Sequence, residues 1–190
     1  QYPIDKLFLD RWSPRAYSNE TMPEQDLLTI LEAAHWAPSA SNLQPWRFLY
    51  ALRGSEHWER FLSVLVDFNQ GWVKSASALL FVISRTHSGE LGSSEQKPSY
   101  SHSFDAGTAW GFLAIQAHLA GYEAHGMTGF HVEKSYEVLG IPEGFRVEAA
   151  VAIGKIGDKS QLPEKLRERE VPSQRNPLSG LAFNGTFAAR

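Results

Sequence analysis

The sequence predicts one compact domain in which helices and strands share a core, and three observations carry that expectation. A chain of 190 residues is of single-domain length and on folding buries about 70% of the surface its unfolded form exposes, so packing alone can support it. Hydrophobic residues at 43% and charged residues at 21% are values of a globular chain rather than a disordered one. Apolar runs of strand length alternate with stretches whose apolar residues recur every three or four positions. No internal repeat and no linker between two cores interrupts the chain, so residues 1–190 read as a single domain.

The elements follow in order. Thr21-Met22-Pro23-Glu24 fits a capping box, with Thr21 placed to accept from the Glu24 amide, and a helix is expected to begin there. Leu27, Leu31 and Ala34 form its apolar stripe, and it stops before Pro38. Arg47 to Leu52 is a short strand ended by Arg53-Gly54-Ser55, and Glu56 to Val66 reads as a helix. Ser77 to Ser84 is too continuously apolar for a one-faced strand and is expected at the centre of a sheet, covered on both sides. Thr86 to Ser103, rich in Gly and Ser and without periodicity, is expected to form a lid. Asp105 to Tyr122 is apolar nearly all round, which fits either a membrane span or the buried centre of a core. It falls short of the roughly 20 residues a span needs, which favours the core. Tyr122 to Thr128 and Val147 to Lys155 read as strands separated by a helix over Val132 to Leu139. Residues 161–190 hold too few apolar groups for a core of their own and must lie on their own domain or on a partner.

Charge and composition exclude several functions. A net charge of −3 provides no field for nucleic acid or anionic membranes, so an anion has to be caught locally. The absence of cysteine excludes disulfides, thiolate nucleophiles and cysteine-held clusters, and suits a reducing cytoplasm. No basic and apolar leader opens the chain. The seven His are scattered without metal-ligand spacing, and no Gly-x-Ser-x-Gly elbow occurs.

Three segments remain as candidates for chemistry. In Arg11-Trp12-Ser13-Pro14-Arg15, Pro14 favours an extended backbone, so Arg11, Ser13 and Arg15 project to one side as two guanidinium forks and a hydroxyl. Two solvated arginines would give the same sequence. Pro38-Ser39-Ala40-Ser41-Asn42-Leu43-Gln44-Pro45-Trp46 is a stiff polar loop between a helix and a strand, suited to the edge of a flat ligand or to simple connection. Gly126-Met127-Thr128-Gly129-Phe130 ends a strand ahead of a helix, where the glycines let backbone approach a ring; a plain turn reads alike.

Together and in this order the segments resemble the FMN-dependent nitroreductase family of small homodimeric flavoenzymes. The resemblance rests on Arg11, Ser13 and Arg15; on Pro38, Ser39, Asn42, Gln44, Pro45 and Trp46; on Phe68-Asn69; on Met127 to Phe130; and on Arg175-Asn176-Pro177-Leu178. It implies an α+β three-layer sandwich with a mostly antiparallel central sheet flanked by helices, and a tail over residues 160–190 that wraps the partner subunit. It also implies tightly bound FMN at the dimer interface, NAD(P)H as reductant and a small-molecule acceptor such as a nitroaromatic or quinone. The FMN-binding set would be Arg11, Trp12, Ser13 and Arg15, then Pro38, Ser39, Ala40, Asn42 and Gln44 of the second subunit, Asn69, Met127, Thr128, Gly129 and the tail Arg175. No side chain is expected to act as catalytic acid or base. Ser173 stands where many relatives carry a cation, and Trp72 where some carry a lysine. An FMN carrier or sensor without turnover, a reductive dehalogenase, a flavin-cleaving enzyme and a heterocycle dehydrogenase remain as alternatives.

Overall fold

The computed structural model describes residues 2–187. Its strands are β1 (Trp46–Leu52), β2 (Ala78–Arg85), β3 (His87–Ser88), β4 (Lys97–Pro98), β5 (Glu123–Met127) and β6 (Phe145–Gly154). Its helices are α1 (Leu7–Asp10), α2 (Glu24–His35), α3 (Trp58–Leu62), α4 (Asp67–Val73), α5 (His102–Leu119), α6 (Val132–Leu139) and α7 (Glu164–Arg167). Four strands form a sheet in the order β1-β2-β6-β5, with every neighbour antiparallel. The mixed class and the antiparallel sheet expected from the resemblance are both present.

The period-2 geometry of β2 explains the layering. Leu79, Phe81 and Ile83 face a core made with Trp58 and Phe61 of α3, Trp72 and Val73 of α4, and Leu139 of α6. Ala78, Leu80 and Val82 face a second core made with Leu27, Ile30 and Ala34 of α2 and the alanines of α5. The strand is apolar without alternation because both faces are covered, as its sequence requires. A bulge in β6 opposite Val82 and Ile83 leaves Glu148 unpaired in the ladder. Ser84 and Ser103 then donate hydroxyl hydrogen bonds to Glu148 Oε1 at 2.6 and 2.7 Å.

The structure departs from expectation in four places. No capping box forms at Thr21. Pro23 takes the N-cap position and its carbonyl receives the Asp26 and Leu27 amides, so α2 starts at Glu24. The helix expected over Glu56 to Val66 ends at Leu62, and Leu65 bridges to Phe130; the chain then starts α4, which the sequence reading did not anticipate. The connection from Thr86 to Ser103 carries the β3-β4 hairpin rather than lacking structure. Finally, α5 is not enclosed all round. Ala106, Ala109, Leu113 and Ala117 are buried, whereas Phe104, Phe112 and Leu119 on its other side are exposed. Among the described residues, no helix is long and apolar enough to cross a membrane.

Candidate active site

The arm from Arg11 to Arg15 leaves α1 extended at Arg11, runs without helix or strand to a bend at Arg15, and is held at several points. Gly157 and Ser18 join it to the chain after β6 by backbone hydrogen bonds, to Ala16 and Lys155 respectively. Glu170, just beyond α7, accepts the amides of Arg15 and Ala16 on a single oxygen, Oε1, at 2.6 and 2.7 Å. His125 of β5 bonds the Pro14 carbonyl through Nδ1 at 2.8 Å. Alternation along this arm directs Arg11, Ser13 and Arg15 into one cavity of about 740 Å³, while Trp12 stays outside its lining. The volume lies within the roughly 300–1,000 Å³ of small-molecule sites.

Phe8 of α1 and Ala149 of β6 each add one residue to the walls, and three other elements supply most of the rest. Asn69 and Trp72 come from α4, Gly126, Met127 and Thr128 from the end of β5, and Trp110, Ala114 and Ile115 from the side of α5. Gly129 lies just behind: its carbonyl accepts from Asn69 Nδ2 at 3.0 Å, and a Cβ there would drive into the Asn69 amide. Only glycine lets these two segments close on each other. Gly126 has a similar reason, since a Cβ would stand 3.0 Å from Trp110. Asn69 accepts the Trp72 indole N–H on Oδ1 at 3.1 Å, which leaves one amide hydrogen of Nδ2 uncommitted.

Two guanidiniums, those of Arg11 and Arg15, and among the described residues no carboxylate, line the cavity. Among the described residues, neither Arg11 nor Arg15 has a carboxylate within ion-pair distance. The Arg15 guanidinium lies 6.0 Å over the Trp72 ring, a cation–π contact. Burial pushes the His125 imidazole below its usual range, Arg15 adds to this, and the Pro14 carbonyl and Glu170 oppose it. A neutral His125 that donates from Nδ1 keeps Nε2 as an acceptor. Tyr17 is fully buried, and burial together with Glu123 and Glu170 pushes its phenol well up, so it stays neutral while bonding the Ala152 carbonyl.

The loop from Pro38 to Gln44 is elsewhere. Pro38, Ala40 and Asn42 are exposed and none of the loop lines the cavity of the same chain. Ser41, Asn42 and Gln44 have φ of 51°, 54° and 46°, the left-handed region that costs non-glycine residues on the order of 1–3 kcal/mol each and persists only where neighbours enforce it. Ser39 Oγ accepts the Gln44 amide at 2.9 Å, and the buried Asp105 accepts the Ala40 amide at 3.3 Å. Arg175 also lies apart, its guanidinium bonded to the nearby Ser173 and Gln174 carbonyls in an exposed tail. The arm, Asn69 and the Met127 to Gly129 turn are therefore gathered at one place, whereas the 38–44 loop and Arg175 are not. Sequence reasoning missed His125, Trp110 and Glu170. Glu170 sits more than 150 residues from the amides it holds, and nothing local marks it.

An antiparallel sheet between two helical layers, with a cavity lined by two arginines at its edge, defines an α+β protein with one small-molecule-sized cleft there. Residues 9–67 match the model of the Nitroreductase family. The chain is 33% identical over 174 residues to an NADH dehydrogenase of Thermus thermophilus, covering 77% of this chain and 83% of that protein. It is 35% identical over 127 residues to an uncharacterised protein of Mycolicibacterium smegmatis, covering 66% of this chain and 82% of the other. A crystal structure described as an oxidoreductase containing FMN superposes with a TM-score of 0.97 at 59% identity, over 100% of this chain and 96% of that one. The chain belongs to the nitroreductase family.

Proposed function

We propose that the protein is an FMN-dependent oxidoreductase working by ping-pong, and that two copies of the chain complete each site. The observation that carries this reading is the pair of guanidiniums, Arg11 and Arg15, without an ion-pair partner among the described residues, in the same cavity as the Ser13 hydroxyl, the spare Asn69 amide hydrogen and the close-packed backbone at Gly129. These residues fit FMN, which needs cations for its phosphate and backbone with a few polar groups for its ring. FMN when bound supplies hydride acceptance from NAD(P)H and delivery to an electron-poor acceptor such as a nitroaromatic or quinone.

The chain's own residues bind and bias. Arg11 and Ser13 hold the phosphate and ribityl end. Arg15 places a fixed positive charge where electron gain makes the ring negative, which is preorganised electrostatic stabilisation. Asn69 donates its free amide hydrogen, and Met127, Thr128 and Gly129 present backbone. Trp12, half-buried beside Arg11 and Ser13 in the chain, closes the set from outside the lining. No side chain has to act as acid or base, because solvent supplies protons.

Exposed apolar groups support the homodimer: Phe104, Phe112 and Leu119 on α5, and Leu178 and Leu181 in the tail. In that assembly Pro38, Ser39, Ala40, Asn42 and Gln44 come from the second copy, which accounts for a strained, enforced loop far from its own cavity. Residues 160–170 pack on their own chain, with Leu162 and Leu166 in the core and Glu170 on the arm; the exposed stretch over 171–187 wraps the partner and carries Arg175 to a phosphate, residues 188–190 lying outside the described residues. Residues 1–190 would then form one FMN-binding domain, in a cytoplasmic enzyme fed by the nicotinamide pool.

The test is spectroscopic. Purified protein supplied with FMN should show bound-flavin absorption, and anaerobic NADH or NADPH should bleach it. Bound flavin that neither nucleotide bleaches would mark a carrier or sensor instead, and failure to bind FMN would end the proposal.

A further inference from the structure

We propose that Trp72 is the positioning residue of this cavity, setting the Asn69 amide through its indole N–H and aiming Arg15 across its ring face. The inference rests on the FMN reading and adds a device to it.

Trp72 is only 3% exposed and stands at the centre of the cluster. Its Nε1 can donate and never accept. The 3.1 Å contact to Asn69 therefore requires the amide oxygen to face Trp72, which turns Nδ2 toward the Gly129 carbonyl and the cavity. The Gly129 carbonyl fixes the same orientation from the other side, so an asparagine without the indole keeps one tether instead of two and swings about its Gly129 bond, displacing the free amide hydrogen. The same indole also places Arg15, whose guanidinium lies 6.0 Å over its ring. A flexible side chain with no ion pair gains a defined location from an aromatic surface. Trp72 is itself fixed, with His125 at 4.7 Å and Tyr17 at 6.3 Å between ring centroids.

An uncharged indole contributes no charge to a bound ring, so position 72 acts through geometry. Arg11 and Arg15 are the only cations lining the cavity among the described residues. With Arg11 assigned to the phosphate end, electron affinity at the ring depends on where Arg15 is held, and hence on Trp72.

The experiment combines FMN titration with potentiometry on Trp72→Phe, Trp72→Leu and Asn69→Ala, folding being checked by circular dichroism. Trp72→Phe keeps the ring and removes the N–H. It should weaken FMN about fivefold, in the range of one lost hydrogen bond, while leaving the midpoint potential close to native. In the Asn69→Ala background the same substitution should change affinity less than twofold, because its route is gone. Trp72→Leu removes the platform as well and should lower the potential by about 30 mV, equivalent to a tenfold loss of preference for the two-electron reduced form. Trp72→Met replaces it if the leucine variant does not fold.

Multiplicative effects of Trp72→Phe and Asn69→Ala would overturn the first half of the proposal, and a native potential in the leucine or methionine variant the second. Native protein that fails to bind FMN would overturn the functional reading itself, a result distinct from either.

Discussion

Replacing Glu170 with alanine should release the arm that carries Arg11, Ser13 and Arg15. One carboxylate oxygen accepts two backbone amides, from Arg15 at 2.6 Å and Ala16 at 2.7 Å. Hydrogen bonds to a charged group contribute roughly 1.5–3 kcal/mol each. Glu170 is 6% exposed, so solvent screens these bonds little. Against this, Oε2 is buried without a hydrogen-bond partner among the described residues, and removing it relieves a desolvation cost of about 1–3 kcal/mol. The net expectation for Glu170→Ala is a loss of about 2–3 kcal/mol of stability, two bonds less the relieved desolvation. Glu170→Gln retains a carbonyl oxygen able to accept both amides without the charge, and should lose only about 1 kcal/mol. Urea unfolding of the FMN-free protein measures both, and FMN titration reads the arm: affinity should fall in the alanine variant and recover largely in the glutamine variant. An alanine variant with native stability and native FMN affinity would refute the reasoning.

Three further outcomes are expected. Burial holds the folded-state pKa of His125 below its unfolded value, so the unfolded state binds more protons. The stability contributed by neutral His125 is complete above about pH 6.5, its unfolded pKa, and is lost as pH falls through the lower folded value; urea unfolding between pH 5 and 8 should show this slope, and His125→Asn should flatten it. Gly129→Ala forces a Cβ into the Asn69 amide and should cost about 1–3 kcal/mol as overpacking, read by thermal melting, with weakened FMN binding in the same titration. Arg175→Ala should loosen FMN by roughly 1.5–3 kcal/mol if the guanidinium bonds the phosphate, and unchanged affinity would remove Arg175 from the site.

The legible parts of the fold are those set by local pattern. The unbroken apolar run of β2 required cover on both faces, and α6 coincides with its expected range because Val132, Tyr136 and Leu139 repeat at helical spacing and Gly140 ends it in the left-handed region. The capping box at Thr21 failed because Pro23 offered a competing start, its fixed φ suiting the N-cap. The break between α3 and α4 was hidden, since the bridge from Leu65 to Phe130 links segments 65 residues apart and nothing in residues 56–73 announces it. In the site, Arg11, Ser13 and Arg15 were readable as a set from one proline and period-2 alternation. Trp72, His125 and Glu170 were not, because each acts through a partner distant in the chain.

By itself the sequence determined the family, the sheet's central strand and the side of the arm on which two guanidiniums would emerge, all consequences of residue identity over a few neighbouring positions. Only the tertiary structure decided which residues orient those groups: the indole that turns Asn69, the carboxylate that grips two amides of the arm, the glycine that admits the asparagine. Such contacts depend on closing long loops of chain around one sheet, and burial then makes each hydrogen bond stronger and each missing partner more costly than local pattern can convey.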